Sequence, residues 1–122
     1  MRGKVVVLYF YPKDFTSGCT KEACHFRDAY EDFTEAGVEV VGVSADSQES
    51  HRKFRDTYLL PFSLLSDEKG EVKKLYGLSG HILPDRVTFV IDKEGVVRSV
   101  FSSKIDMKAH VDEAMKIIKS LN

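Results

Sequence analysis

The run from Val5 to Tyr11 is apolar or aromatic at every position. Such a run suits a strand covered on both faces, as at the centre of a parallel or mixed sheet. Only architectures with layers on both sides of a sheet can hide it. The pattern changes immediately afterwards. Pro12 to Gly18 has loop composition, with Thr16 or Ser17 as candidate helix N-cap. From Gly18 the apolar residues take helical spacing. Strand, turn and helix N-terminus in direct succession is where α/β folds place their chemistry. Both cysteines of the chain, Cys19 and Cys24, lie in this stretch. A helix N-terminus offers unpaired N–H groups and a positive dipole end, and both favour a thiolate over a thiol.

The rest of the chain continues the alternation. A first helix is expected from about Gly18 to Glu35, with an inward stripe of Ala23, Phe26, Tyr30 and Phe33 and with Cys19 on the same face. Gly37 is its expected stop. Val38 to Ser44 reads as a second strand. Asp46 or Ser47 caps a second helix that runs to about Tyr58, and Pro61 ends it. Phe62 to Leu65 is a short strand, and Asp67 to about Gly77 a third, short helix. Leu78 to Asp85 reads as loop. Arg86 to Ile91 and Val96 to Phe101 form a hairpin about Asp92-Lys93-Glu94-Gly95. A last helix spans about Asp106 to Leu121, with Val111, Ala114, Met115 and Ile118 inward. This order predicts a thioredoxin-like α/β fold: a mixed central sheet with helices on both faces.

The 122 residues read as one domain, 1–122, with 43% hydrophobic and 30% charged residues. The net charge of −1 argues against nucleic acid or an anionic membrane surface as partner. No apolar run reaches membrane-spanning length, and no secretory pattern opens the sequence. Two cysteines are too few for a disulfide scaffold. A reducing compartment is therefore expected, with the thiols present either for reactivity or for no chemistry at all.

Cys19 falls on the apolar side of its helix, as a buried structural thiol would, but its first-turn position with a hydroxyl three residues earlier points to reactivity. Cys24 lies about 140° further round, on the flank of Thr20, Arg27 and Glu31. A thiol on a polar flank near another at a helix start looks like a redox partner. The Cys-x4-Cys spacing is neither the Cys-x-x-Cys of dithiol exchange nor a zinc ribbon. Cys19, Cys24 and His25 do not share a face that would bind zinc, so no metal is expected. His25, His51, His81 and His110 are scattered, and a surface position is expected for each. Arg86 opens an otherwise apolar strand. It is either an edge residue reaching water or a fixed cation aimed at the thiolate.

The segment from Tyr9 to Asp28, YFYPKDFTSGCTKEACHFRD, resembles the active-site segment of the peroxiredoxins. The resemblance is to the peroxiredoxin Q group, also called bacterioferritin comigratory protein. The family's Pro-x-x-x-Thr-x-x-Cys pattern is met by Pro12, Thr16 and Cys19. Cys24, five residues on, marks the Q group, and Arg86 in Arg-Val-Thr-Phe-Val-Ile-Asp matches the family's active-site arginine. Ser17-Gly18 stands where many members have Pro-Gly. The family usually carries a further segment ahead of the first strand, and this chain is expected to lack it.

The resemblance implies a thioredoxin-dependent peroxidase acting on hydrogen peroxide and organic hydroperoxides. Cys19 would be the peroxidatic thiol and Cys24 the resolving thiol of an intramolecular disulfide. Thr16, the Cys19 N–H and Arg86 would hold the peroxide, and Pro12 would shield the thiolate. No cofactor is implied; the reductant would be thioredoxin or a similar dithiol. The chain is expected to be a monomer in bacterial cytosol or, behind a transit peptide, in plastids. The alternative is a disulfide exchanger or redox sensor of the same fold.

Overall fold

The computed structural model describes residues 3–72, 86–102 and 106–121. β1 (Val5–Phe10) is buried at all six positions. It has a strand on each side: β2 (Val38–Ser44) runs parallel to it and β4 (Val87–Ile91) antiparallel. β3 (Ser63–Ser66) adds to β2 in parallel, and β5 (Val97–Ser102) adds to β4 antiparallel. The order β3-β2-β1-β4-β5 is the mixed, thioredoxin-like sheet expected from the pattern.

Among the fully described elements, four helices follow from the periodicity: α1 (Ser17–Asp28), α2 (Tyr30–Glu35), α3 (Gln48–Tyr58) and α4 (Met107–Leu121). One sheet face carries Val5, Val7 and Tyr9, which pack with Phe26 of α1, Phe33 of α2, Phe54 of α3 and Val111, Ala114 and Ile118 of α4. Tyr9 stacks on Phe26 with ring centroids 4.5 Å apart. Phe26 is fully buried, so truncating it to alanine would cost about 3–5 kcal/mol. The opposite face carries Val6, Leu8 and Phe10 with Val43, Val87 and Phe89, and Val72 packs on it.

Several boundaries differ from expectation. The single helix expected from Gly18 to Glu35 is two, because Ala29 leaves helical geometry at φ −94°, ψ 0°. No glycine or proline marks that break, and the apolar stripe runs straight across it. β4 starts at Val87, so Arg86 stands just ahead of the strand. Asp67 to Gly70 is a turn, with Asp67 Oδ1 accepting from the Val72 N–H at 3.0 Å, and helical geometry begins at residue 71. The remainder of that expected helix, the Leu78 to Asp85 loop and His81 lie outside the described residues. Among the described residues no helix is long and apolar enough to cross a membrane.

Candidate active site

The sheet register brings the sequence candidates to one end of the sheet. Phe10 pairs with Val87, so the chain leaving β1 and the residue entering β4 are neighbours. The first is the turn that carries Thr16 and Cys19; the second is Arg86. Thr16 is the N-cap of α1, in extended geometry, and its Oγ1 accepts from the Cys19 N–H at 3.4 Å. The same hydroxyl donates to the Lys13 carbonyl at 3.1 Å. The cap thus uses Thr16 rather than Ser17, and it places Cys19 in the first helical turn.

Cys19, Glu22, Ala23 and Phe26 form the buried face of α1. Cys19 is 1% exposed and Arg86 is 8% exposed. Arg86 Nη1 donates to Cys19 Sγ at 3.2 Å and to Glu22 Oε1 at 3.1 Å. A permanent cation donating to sulfur suits the thiolate, the nucleophilic form. Gly18 makes this approach possible. A Cβ on Gly18 would lie 2.6 Å from Arg86 Nη2 and 3.3 Å from its Cζ.

Glu22 was not among the sequence candidates, yet it is fully buried and holds the arginine. Burial pushes its carboxyl up to about 7, against the pull of Arg86. Its second oxygen, Oε2, has no hydrogen-bond partner among the described residues and lies 3.5 Å from His110 Nδ1. That ring nitrogen is 2.7 Å from Thr88 Oγ1. The available signal was positional: three residues after Cys19 and one before Ala23, Glu22 occupies the inward stripe. His110, expected at the surface, is likewise fully buried, because it sits at a stripe position of α4 between Met107 and Val111.

Cys24 is half-buried on the flank of α1, and neither it nor the buried Cys19 is in a disulfide. Pro12 is exposed and borders a small pocket with Tyr11, Ser44 and Asp67. His25 is half-buried. His51, also expected at the surface, is 4% exposed and bonds to Asp14 at 2.8 Å. With Asp46 these two residues bring three potential metal-ligating atoms within 4.8 Å of one another. Asp14 and His51 bond to one another, to Ser50 and to the Leu65 carbonyl, and Asp46 Oδ2 accepts from the Asp14 N–H and the Ser44 hydroxyl.

The chain matches the AhpC/TSA family over residues 1–100. It is 52% identical over 123 aligned residues to the chloroplastic peroxiredoxin Q of Sedum lineare, covering 98% of this chain and 66% of that one. The chain spans less than two thirds of the length of the curated relatives it matches, 66% of that one and 58% of the chloroplastic peroxiredoxin Q of Populus jackii. Among solved structures, peroxidoxin BcpB of Mycobacterium tuberculosis is 41% identical with a TM-score of 0.89, covering 97% of this chain and 80% of that one. The bacterioferritin comigratory protein of Xanthomonas campestris, whose structures concern its alkyl peroxide reduction activity, is 30% identical with a TM-score of 0.88, covering 98% and 81%. Together with Cys19 and Arg86 in contact at the head of α1, these likenesses establish that the chain belongs to the AhpC/TSA family, in its peroxiredoxin Q group.

Proposed function

We propose that the protein is a thiol peroxidase that reduces hydrogen peroxide and organic hydroperoxides through Cys19. The observation that carries this reading is the 3.2 Å contact between Arg86 Nη1 and Cys19 Sγ, buried at a helix N-terminus. Cys19 thiolate attacks the distal peroxide oxygen. A sulfur–oxygen bond forms, the O–O bond breaks, and the leaving hydroxide or alkoxide takes from solvent the proton that the thiol gave up on ionising, departing as water or an alcohol. Sulfur is oxidised by two electrons to sulfenic acid. The negative charge that moves onto the peroxide oxygens is met by Arg86, by the Cys19 N–H and by Thr16, whose hydroxyl proton can turn from the Lys13 carbonyl. Glu22 holds Arg86 in place from the far side. Pro12 fixes the start of the turn.

Cys24 then attacks the sulfenic sulfur and releases water. Both cysteines lie in one continuous helix, α1. Residues five apart are separated by about 7.5 Å along a helix axis, whereas a disulfide needs Cα atoms within about 7 Å and converging Cβ vectors. The first turns of α1 therefore unwind for the disulfide to form, and helix ends open most readily. Thioredoxin or a similar dithiol reduces the disulfide by exchange. The chain works as a monomer, in the bacterial cytosol or a plastid, where such a reductant is at hand.

The test is steady-state consumption of hydrogen peroxide and of cumene hydroperoxide with thioredoxin as donor. Turnover in wild type and none in Cys19→Ser is expected. Equal consumption by the two proteins overturns the assignment.

A further inference from the structure

The turn that carries Thr16 is held from behind by a buried ion pair, whose proton count can be read from its partners. Asp14 and His51 are each 4% exposed. His51 Nδ1 is 2.8 Å from Asp14 Oδ2, and Nε2 is 3.2 Å from the Leu65 carbonyl of β3. A carbonyl and an ionised carboxylate only accept. With Asp14 ionised, both ring nitrogens of His51 face acceptors, an arrangement that the imidazolium satisfies in full. Asp14 also accepts from the Tyr11 hydroxyl at 2.7 Å and from Ser50 Oγ at 2.8 Å. Burial pushes the Asp14 carboxyl up, but the donors His51, Tyr11 and Ser50 hold it below the usual carboxylate value. Burial pulls His51 down, but Asp14 raises it above the usual imidazole value.

The other groups facing His51 agree with this charge. Asp46, in the segment between β2 and α3, accepts from the Asp14 N–H at 2.8 Å and adds a second carboxylate. The Tyr11 hydroxyl is 3.4 Å from Nδ1. Burial and Asp14 keep that hydroxyl protonated well beyond the usual range. On its own helix, Arg52 and Arg55 border a small pocket beside His51.

Asp14 is two residues before the cap and five before Cys19. Between them, Phe15 takes a left-handed φ of 64°. A bulky residue stays there only where its surroundings hold it. They hold it from two sides: the Asp14 network, and the Phe15 ring against Phe54 and Tyr58 at centroid distances of 5.1 and 6.2 Å. His51, Phe54 and Tyr58 all belong to α3, three and four residues apart, so one helix face backs the whole turn.

We infer that His51 is a positioning residue for the peroxide reaction: its imidazolium, bridging Asp14 and the Leu65 carbonyl, holds the turn that sets Thr16 at the cap and Cys19 against Arg86, and loss of its proton releases that turn. A neutral ring keeps one N–H, so either the carboxylate or the carbonyl loses its donor inside the protein. The counter-charge of Asp14 disappears with it, and Phe15 loses one of its two restraints. The effect on rate rests on Cys19 being the peroxide-reacting thiolate; the proton count does not.

Two measurements test this. In the reduced wild-type protein, 15N spectra of the His51 ring are titrated, with hydrogen-exchange protection of Phe15 to Cys19 followed alongside. Both ring nitrogens should be protonated at pH 7, and protection should fall in step as the ring loses its proton at alkaline pH. A neutral ring at pH 7 overturns the inference, and so does a titration that leaves those amides unchanged. The second measurement is the rate of Cys19 oxidation by hydrogen peroxide against pH, in wild type, His51→Gln and Asp14→Asn. The wild-type rate should fall with the His51 titration. Both variants should lose that alkaline limb and run roughly tenfold slower at pH 7, the scale expected of a modest misplacement at a reacting centre. An unchanged alkaline limb in His51→Gln overturns the inference. If peroxide does not oxidise Cys19 at all, the peroxidase reading fails, while the first measurement still decides the proton and the turn.

Discussion

Gly18→Ala is expected to separate activity from stability. The added Cβ would meet Arg86 Nη2 at 2.6 Å, and ordinary contact begins at 3.4 Å, so the guanidinium must retreat by about 0.8 Å. The other near neighbour, Met107 Cε at 3.2 Å, is the end of a flexible side chain and yields easily. Arg86 has no such latitude, because Nη1 is fixed between Cys19 Sγ at 3.2 Å and Glu22 Oε1 at 3.1 Å. Losing one hydrogen bond to a charged group costs about 1.5–3 kcal/mol. If that loss falls on the transition state, peroxide attack slows by about 10- to 150-fold. The fold should lose less than the reaction does, since alanine is the better helix former by up to about 1 kcal/mol and offsets part of the lost contact while Glu22 still holds the guanidinium. The assay is rapid-mixing competition for hydrogen peroxide against a haem peroxidase, beside urea unfolding of the reduced protein. A variant within about 2 kcal/mol of wild-type stability but slower in the stated range is expected. A wild-type rate would show that the Arg86 contact does not govern the reaction.

Arg86→Lys should retain about a tenth or less of the wild-type rate in the same assay, because an ammonium is shorter and more strongly hydrated than the guanidinium it replaces; recovery of the full rate would mean that charge alone suffices. Glu22→Gln should change stability in a pH-dependent way. The folded-state value of Glu22, about 7, lies above the ordinary 4.5, so its contribution to stability is complete below 4.5 and is lost as pH rises through 7. Relative to wild type the glutamine variant should gain about 3 kcal/mol between pH 4 and 8, read from urea midpoints; a pH-independent difference would refute the raised value. Cys24→Ser should complete one round of peroxide reduction and then hold Cys19 as a sulfenic acid that dimedone traps, and multiple turnovers with thioredoxin at the wild-type rate would show that Cys24 is not the resolving thiol.

The elements with one dominant period were legible in the sequence. The unbroken apolar run gave the central strand, the Asp92 to Gly95 turn gave the hairpin, and the stripe of Val111, Ala114 and Ile118 gave the last helix. For Arg86 the residue pattern left two readings open, an edge residue or a cation aimed at the thiolate, and the resemblance to the peroxiredoxins favoured the second, which is where the structure places it. What escaped were polar residues in apolar positions. Glu22, His51 and His110 each occupy an inward helical site, and a pattern that counts only apolar residues passes over them. Their burial is decided by partners 64, 37 and 22 residues away, Arg86, Asp14 and Thr88, which no local window contains. The break at Ala29 escaped for a different reason. The stripe Phe26, Tyr30, Phe33 is continuous across it, and no residue there is a helix breaker.

The central claim is that Cys19 takes the peroxide oxygen and Cys24 of the same chain resolves it. The most direct measurement is intact mass and peptide mapping of the reduced wild-type protein after one equivalent of hydrogen peroxide, beside a non-reducing gel. The account predicts a monomer that has lost two hydrogens and yields a single Cys19–Cys24 linked peptide. A disulfide-linked dimer, or a protein in which both thiols remain reduced, would contradict it.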